Sequence, residues 1–331
     1  MSDVKLISPA NGETVDLNAK YQKEFYECKN FRAVKRVIKK MNKLPEYRDK
    51  YTVPEPAKFK WQGSEDTYNL EISDNKDFEN PVVVTTSETQ AQVYNLKKCT
   101  KYYWRVNNCE PGFFITDNIV PRWLYIEGLT NLRDFGGDIN NQGRQVKQGL
   151  VIRGPRLEDI KSEEAKAEMK SLIKTDLDLR AEAIDRLHLT ESPLGKDIKF
   201  ILYPYNGYHD VLVDEYSEKN KKLIDMFADE SLYPIYFHCA GGQDRTGTLG
   251  FFLDAILGLE DKDIIRNYEL TMQSNLDQKL SRSRKDKIKK FLKIIRKRNK
   301  HKSYSENTVD YLRECGVTDE TMDKIREILL K

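Results

Sequence analysis

The sequence predicts two units, an all-β sandwich followed by an α/β domain whose mostly parallel central sheet is flanked by helices. Three observations predict this. In the first third, short segments rich in Val, Tyr, Trp and Phe recur between Asp, Asn, Lys and Gly punctuation, at the spacing of a sandwich. From about residue 119 onward, short apolar strands alternate with helical segments, the pattern of parallel strands joined by crossover helices. Between the two, "EPGFFITDNIVPR" (110–122) marks a boundary, which sets the domains at 1–118 and 119–331.

The elements follow in order. The first unit's strands are "PAKFKWQ", "TYNLEIS", "VVVTTS", "AQVYNL" and "KYYWRVNN". "TYNLEIS" alternates strictly, with Tyr68, Leu70 and Ile72 on one face and Thr67, Asn69 and Glu71 on the other. A helical insertion at about 19–42 interrupts the strands and puts Phe31, Val34, Val37/Ile38 and Met41 on one stripe. The prolines of "LPEYRDKYTVPEP" then return the chain to extended structure. In the second unit the strands "KQGLVIRG", "SLIKTDLDLR", "IKFILYPY" and "YPIYFHC" alternate with the helical "SEEAKAEMKSLI", "DEYSEKNKKLIDMFAD" and "GTLGFFLDAILG".

Composition narrows the class. The 331 residues, 33% charged and 39% hydrophobic, suit a globular protein with a wet surface. From a net charge of only +3 no polyanionic partner follows, although the charge is unevenly distributed. No stretch approaches the roughly 18–20 apolar residues needed to span a bilayer. "MSDVKLISPANGETV" lacks a basic region followed by an apolar core and does not read as a secretory signal. The expected location is the cytoplasm, or outside the cell if a leader has been removed. Five cysteines, Cys28, Cys99, Cys109, Cys239 and Cys315, are too few and too odd in number for a disulfide framework, which points to a reducing compartment. Cys99 and Cys109 are the pair that could join in an oxidising one. Cys28 and Cys315 read as small core residues.

The chemistry concentrates in "YPIYFHCAGGQDRTGTLGFF", residues 233–252. A strand ends at Phe237 and a helix is expected to begin near Thr246. The loop between them lies at a helix N-terminus, where unpaired N–H groups and the dipole favour an anion. Gly241 and Gly242 let the backbone turn its N–H groups inward as a nest, with Ala240, Gln243 and Thr246 completing the phosphate-binding set. Arg245 adds a planar fork suited to two phosphate oxygens. Cys239 at the base of this positive cup would ionise readily, and the thiolate is the reactive form. Such a site binds a tetrahedral dianion and aims a nucleophile at its centre, the arrangement for displacement at phosphorus through a cysteinyl-phosphate. The leaving oxygen needs a proton donor. Asp244, inside the loop, is the first candidate. Asp210 and Asp214, in "YPYNGYHDVLVDEY", are the alternative.

Cys-x5-Arg-Thr resembles the signature loop of cysteine-dependent phosphatases, and the Asp-Arg ending resembles that of myotubularin lipid phosphatases. Together with "GLTNLRDFGG" (128–137), "LVIRGPRL", "DLDLRAE", "IIRNYELT" and "VDYLRECGVTDETMDKIREILL", the loop resembles the atypical bacterial tyrosine phosphatases, a family that includes a secreted mycobacterial tyrosine/lipid phosphatase. This resemblance covers about residues 122–331. It implies the cysteine-phosphatase α/β fold and hydrolysis of phosphotyrosine, with phosphoserine/threonine or phosphoinositides as further substrates. It also implies no metal or cofactor, and a loop Asp as general acid, here Asp244. His238 would fix the loop and lower the thiol pKa. Asn131, Arg133, Asp134, Arg153 and Arg180 match accessory polar positions expected to support the loop or line the cleft, although Asp178 and Arg180 equally fit a structural ion pair. The family usually has Lys before Asp-Arg. Gln243 stands there instead, which removes a positive charge and moves the expectation from inositol lipids toward phosphoproteins. A non-catalytic phosphate-binding module is the remaining alternative. The first unit, "SPANGETV … FKW … YNLEIS … KKCTKYYWRV", resembles a fibronectin type III or immunoglobulin-like domain, a docking or spacer module of unknown partner.

Residues 279–302, "KLSRSRKDKIKKFLKIIRKRNKHK", hold 13 Lys/Arg against one Asp, with Ile288, Phe291, Leu292 and Ile295 at helical spacing. This amphipathic basic helix reads as a solvated face packed on the domain, as a lid that attracts anionic substrate, or as a contact to anionic membrane. Nucleic acid is not expected, because no base-stacking pattern accompanies it.

Overall fold

In the computed structural model, the described residues are 4–28, 33, 36–37, 39–40, 43, 53–181, 189–273 and 282–331. Of the helical stripe expected in the insertion, Phe31, Val34, Ile38 and Met41 lie outside them. The chain begins with β1 (Lys5–Ser8), β2 (Glu13–Val15) and helix α1 (Lys20–Tyr26). Six strands follow: β3 (Ala57–Gln62), β4 (Tyr68–Ser73), β5 (Val82–Thr86), β6 (Gln90–Val93), β7 (Lys101–Val106) and β8 (Gly112–Thr116).

These strands form two sheets, of order β1-β3-β6 and β2-β8-β7-β4-β5. Alternation sorts their side chains: Phe59 and Trp61 of β3, Leu70 and Ile72 of β4, Trp104 of β7 and Phe114 of β8 all enter one buried core. Phe59, from the three-stranded sheet, meets Trp104 and Phe114 of the five-stranded sheet edge-on at centroid distances of 5.2 and 5.6 Å. The two sheets therefore pack face to face. Cys99 and Cys109 are both free thiols.

The second half is an α/β fold. Its sheet has the order β12-β11-β13-β10-β9, from β9 (Arg133–Asp134), β10 (Val151–Gly154), β11 (Thr175–Asp178), β12 (Lys199–Leu202) and β13 (Ile235–His238). The last four strands pair in parallel, and only β9 runs antiparallel, against β10. The helices are α2 (Glu163–Leu172), α3 (Ser217–Asp225), α4 (Asp244–Ile256), α5 (Asp261–Glu269), α6 (Arg282–Arg298), α7 (Tyr304–Glu314) and α8 (Asp319–Leu329). Every residue of α4 from Thr246 to Ile256 is buried, so this helix is apolar nearly all round and sits at the centre of the helical layer. The basic helix α6 packs on it, with the Phe291 ring 5.0 Å from that of Phe251.

Helix α1 reaches across to the α/β part. Phe25 buries against Trp123 and Leu270 in a separate small cluster, and the Arg266 guanidinium lies 5.1 Å from the Tyr26 ring centroid. Among the described residues no helix is long and apolar enough to cross a membrane.

Candidate active site

β13 lies mid-sheet, and its register aligns His238 with Gly154 on one side and Asp178 on the other. Three strand ends thus open on one carboxyl edge, where α/β sheets place ligands. The chain leaves β13 at Cys239, turns, and enters α4 at Asp244 rather than near Thr246. An acidic residue in a helix's first turn meets free N–H groups, which suits Asp244 to that position. The turn requires Gly242. Its φ is +67°, and a Cβ there would stand 2.4 Å from the Gly154 carbonyl. Gly241 has no positive φ, so the left-handed step belongs to one glycine and not to both.

The loop is held from beneath by its carbonyls. Asn131 Nδ2 donates to the carbonyls of Gly241 (2.9 Å) and Gly242 (3.2 Å), and Arg153 Nη2 donates to that of Gly242 (3.3 Å). In a trans peptide the N–H points opposite the carbonyl. Pinning these oxygens therefore turns the N–H groups of Gly242 and Gln243 toward the mouth. Arg133 Nη1 in turn donates to Asn131 Oδ1 at 2.5 Å, and its Nη2 donates to the Asn267 carbonyl at 3.2 Å. Burial presses both Arg133 and Arg153 below their ordinary pKa, Arg153 to about 10, and each remains a cation at neutral pH. Two guanidinium groups beneath the loop add to its positive field.

Asp134 departs from the expectation that it supports the loop. Its carboxylate accepts from Arg122 (2.6 Å), Gly149 N (2.7 Å) and Gly136 N (2.7 Å). Successive strand residues face opposite ways, so when Arg133 turns toward the loop Asp134 turns toward the segment entering the domain. Arg180 forms the structural ion pair. Its Nε and Nη2 bind Asp178 at 3.0 and 2.7 Å, and Nη2 also meets Glu158 at 2.8 Å.

Cys239 is 3% exposed. Burial by itself pushes the thiol up. The Arg245 charge, the Thr246 hydroxyl and the backbone N–H groups of Thr246 and Gln243 outweigh it and hold the thiol below its ordinary value. The buried Thr246 hydroxyl has no hydrogen-bond partner of standard geometry and lies within reach of the sulfur, where it favours the anion. Ala240 is exposed at the rim, and its carbonyl accepts from Arg156 N at 3.2 Å.

His238 is buried beside Cys239. Its Nε2 lies 2.9 Å from Asp176 Oδ1, its Nδ1 4.0 Å from Asp178, and its ring stacks on Tyr236. Burial alone would lower its pKa, but the two carboxylates raise it to about 9, so His238 is a cation at neutral pH. The sequence reading did not single out Asp176. Its signal is the alternation of "DLDLR", which puts two carboxylates on one face of a buried strand and calls for a cation between them.

Asp244 is half-buried, and the Tyr208 hydroxyl donates to its Oδ1 at 2.6 Å. Tyr208 is a further residue the sequence reading missed. It belongs to the very stretch that supplied Asp210 and Asp214, and the structure ties that stretch to the loop through the tyrosine. Tyr208 N also donates to Thr248 Oγ1 (2.8 Å), which donates to the Asp244 carbonyl (2.9 Å). Asp210 and Asp214 are exposed. Asp210 faces His209 at 3.5 Å, and among the described residues no ion pair or hydrogen bond joins either one to the loop. Lys287 of α6 stands 5.8 Å above the Tyr208 ring, which puts this end of the basic helix beside the site.

Residues 124–331 match the model of the tyrosine phosphatase family. A protein of Cupriavidus necator with the provisional name tyrosine-protein phosphatase is 25% identical over 178 residues, 46% of this chain. The chain spans 64% of that relative's length. The core catalytic domain of a PP-IP phosphatase from S. cerevisiae, solved with citrate, is 16% identical and covers 50% of this chain and 93% of its own, with a TM-score of 0.29. A likeness that low carries no argument about this chain.

Proposed function

The chain belongs to the tyrosine phosphatase family, and on that premise we propose that it hydrolyses phosphate monoesters, phosphotyrosine first, through a cysteinyl-phosphate intermediate. The observation that carries this reading is a buried thiol held below its ordinary pKa at the mouth of a helix, with Arg245 beside it. The loop N–H groups and Arg245 hold the three non-bridging oxygens. The Cys239 thiolate attacks phosphorus, the S–P bond forms, and the P–O bond to the alcohol breaks. Asp244 gives its proton to the departing oxygen. It then takes a proton from water, whose oxygen attacks phosphorus as the S–P bond breaks and returns the thiolate. Tyr208 orients Asp244, which supports this acid over Asp210 and Asp214. Asn131, Arg133 and Arg153 position the loop, and His238 supplies a fixed charge beneath it.

Gln243 in place of a lysine supports phosphoprotein over phosphoinositide substrates. We further assign residues 1–118 to a fibronectin type III-like module and the whole to the cytoplasm, where free Cys99 and a thiolate nucleophile stay reduced. The test is hydrolysis of p-nitrophenyl phosphate in EDTA across pH by wild type, Cys239→Ser, Asp244→Asn and Asp210→Asn/Asp214→Asn. Metal-independent turnover lost in Cys239→Ser, and cut roughly 10²–10⁴-fold in Asp244→Asn, is expected. An active Asp244→Asn protein moves the acid to Asp210 or Asp214. No turnover of this ester or of any phosphopeptide by wild type leaves a phosphate-binding module. Faster turnover of inositol lipids than of phosphopeptides reassigns the substrate.

A further inference from the structure

Helix α6 buries one side and leaves the other uncompensated. Phe291 and Ile295 are 1% and 0% exposed, with Ile288 and Leu292 beside them against the core. On the opposite side Lys289, Lys293 and Lys297 repeat at intervals of four, which is one face of the helix, and Lys300 follows in the turn after its end. All four are exposed, as are Lys287 and Lys290. The neighbouring cations are engaged: Arg296 with Asp261, Arg298 with Glu314, and Lys302 with Asp310. Among the described residues, no carboxylate pairs with any lysine of the stripe. The net charge of +3 therefore conceals a strip of unneutralised charge. Lys287, two residues before the first lysine of the stripe, stands over Tyr208, which holds Asp244.

We propose that this lysine stripe docks an acidic polypeptide segment flanking the phosphorylated residue of the substrate. The inference rests on the phosphatase reading above and adds to it a rule for choosing substrates. Lys289 to Lys297 is eight residues of helical rise, about 12 Å. An extended chain covers that length in about four residues, so the stripe matches a short acidic run beside the phosphoresidue. An anionic bilayer fits less well. Stable surface binding needs apolar area inserted next to the charge, and the large hydrophobic side chains exposed among the described residues (Ile7, Val82, Val83, Ile115, Ile139 and Val213) include none on α6. Single-stranded nucleic acid needs aromatic faces for stacking, and Phe291 points inward.

The test uses the full chain and phosphotyrosine peptides carrying five Glu/Asp residues on the N-terminal side, on the C-terminal side, or replaced by Gln/Asn. For wild type at low salt, an acidic peptide on one of the two sides is expected to show kcat/KM about tenfold above the neutral peptide, mainly through KM. The preference should fade by about 0.5 M salt, where charges on the two partners are screened within a few ångströms. Lys289→Glu/Lys293→Glu/Lys297→Glu should lose or invert it, and the Lys→Arg triple should retain it. Turnover of p-nitrophenyl phosphate, which is too small to reach the stripe, should stay within about twofold of wild type in both triples. That control certifies the fold and the catalytic centre. Equal kcat/KM for acidic and neutral peptides in wild type overturns the proposal. So does a preference that survives the Lys→Glu triple, or sedimentation with phosphatidylserine vesicles that the triple abolishes while peptide preference is absent. If wild type turns over no ester at all, the function fails separately. Fluorescence anisotropy of the labelled peptides on Cys239→Ser protein then still decides whether the stripe binds acidic chains.

Discussion

His238→Gln separates a buried charge from a buried ring of the same place. His238 is 1% exposed, with Asp176 at 2.9 Å and Asp178 at 4.0 Å, both fully buried. Its pKa stands at about 9 in the folded protein against an ordinary 6.5. The folded state therefore binds the proton more tightly than the unfolded chain, and linkage converts that preference into stability. The contribution is complete below pH 6.5, roughly 3 kcal/mol at 1.36 kcal/mol per pKa unit. It declines as pH rises through 9, and the loss between pH 7 and 9 is about 2 kcal/mol. Glutamine retains a hydrogen bond to Asp176 but brings no charge, and removing one partner of a buried pair costs about 3–5 kcal/mol. Urea unfolding of both proteins, followed by circular dichroism at 222 nm from pH 6.5 to 9.5, reads the difference. Lys98, lowered to about 8 by burial, and Glu269, raised to about 7 by burial, titrate nearby but are common to both proteins and cancel in the comparison. The stability gap should be roughly 3 kcal/mol at pH 7 and should narrow steadily toward pH 9. A gap that stays constant across that range would show His238 to be neutral in the folded protein.

Other expectations follow from the same contacts. Gly242→Ala drives a Cβ into the Gly154 carbonyl, displaces the loop by a substantial part of an ångström, and should lower kcat/KM on p-nitrophenyl phosphate about 10²-fold; a change under threefold contradicts the loop geometry. Tyr208→Phe removes the hydrogen bond to the Asp244 carboxyl and should lower kcat about tenfold, while the pH profile of Cys239 alkylation by iodoacetamide stays in place, because the tyrosine hydroxyl contacts Asp244. Phe25→Ala empties the pocket between Trp123 and Leu270 and should cost about 3 kcal/mol. It should also lower kcat, because Trp123 stacks 5.4 Å from Arg133, which holds Asn131 beneath the loop; thermal melts paired with steady-state assays check both, and an unchanged kcat in a destabilised protein removes the coupling.

What could be read in the sequence was what contiguous residues build. The nest, the helix N-terminus and the thiol within 239–246 are local, so spacing alone exposes them, and the alternation of β4 reports directly which face is buried. What sits under the loop is assembled by topology. Asn131 reaches Gly241 across 110 residues and Asp176 reaches His238 across 62, distances over which no periodicity operates. Asp134 illustrates the failure from the other side. It lies next to a residue that supports the loop, within "GLTNLRDFGG", yet the strand pleat turns it to the opposite face.

Helix α1 carries that point into function. The insertion reads in sequence as an interruption of the sandwich, with no stated purpose. In the fold its first helix delivers Phe25 to Trp123 and Leu270 and Tyr26 to Arg266, so a division of the chain at residue 118 would cut through a buried contact. The α/β part expressed as 119–331 would expose Trp123, otherwise 2% exposed, and leave Arg133 without the packing behind that ring. Such a fragment should melt below the full chain and turn over p-nitrophenyl phosphate more slowly, with Trp123 fluorescence shifted to the red. A fragment equal to the full chain in both stability and kcat would mean that the N-terminal unit merely rests on the phosphatase, and that Arg133 holds Asn131 by its own hydrogen bonds alone.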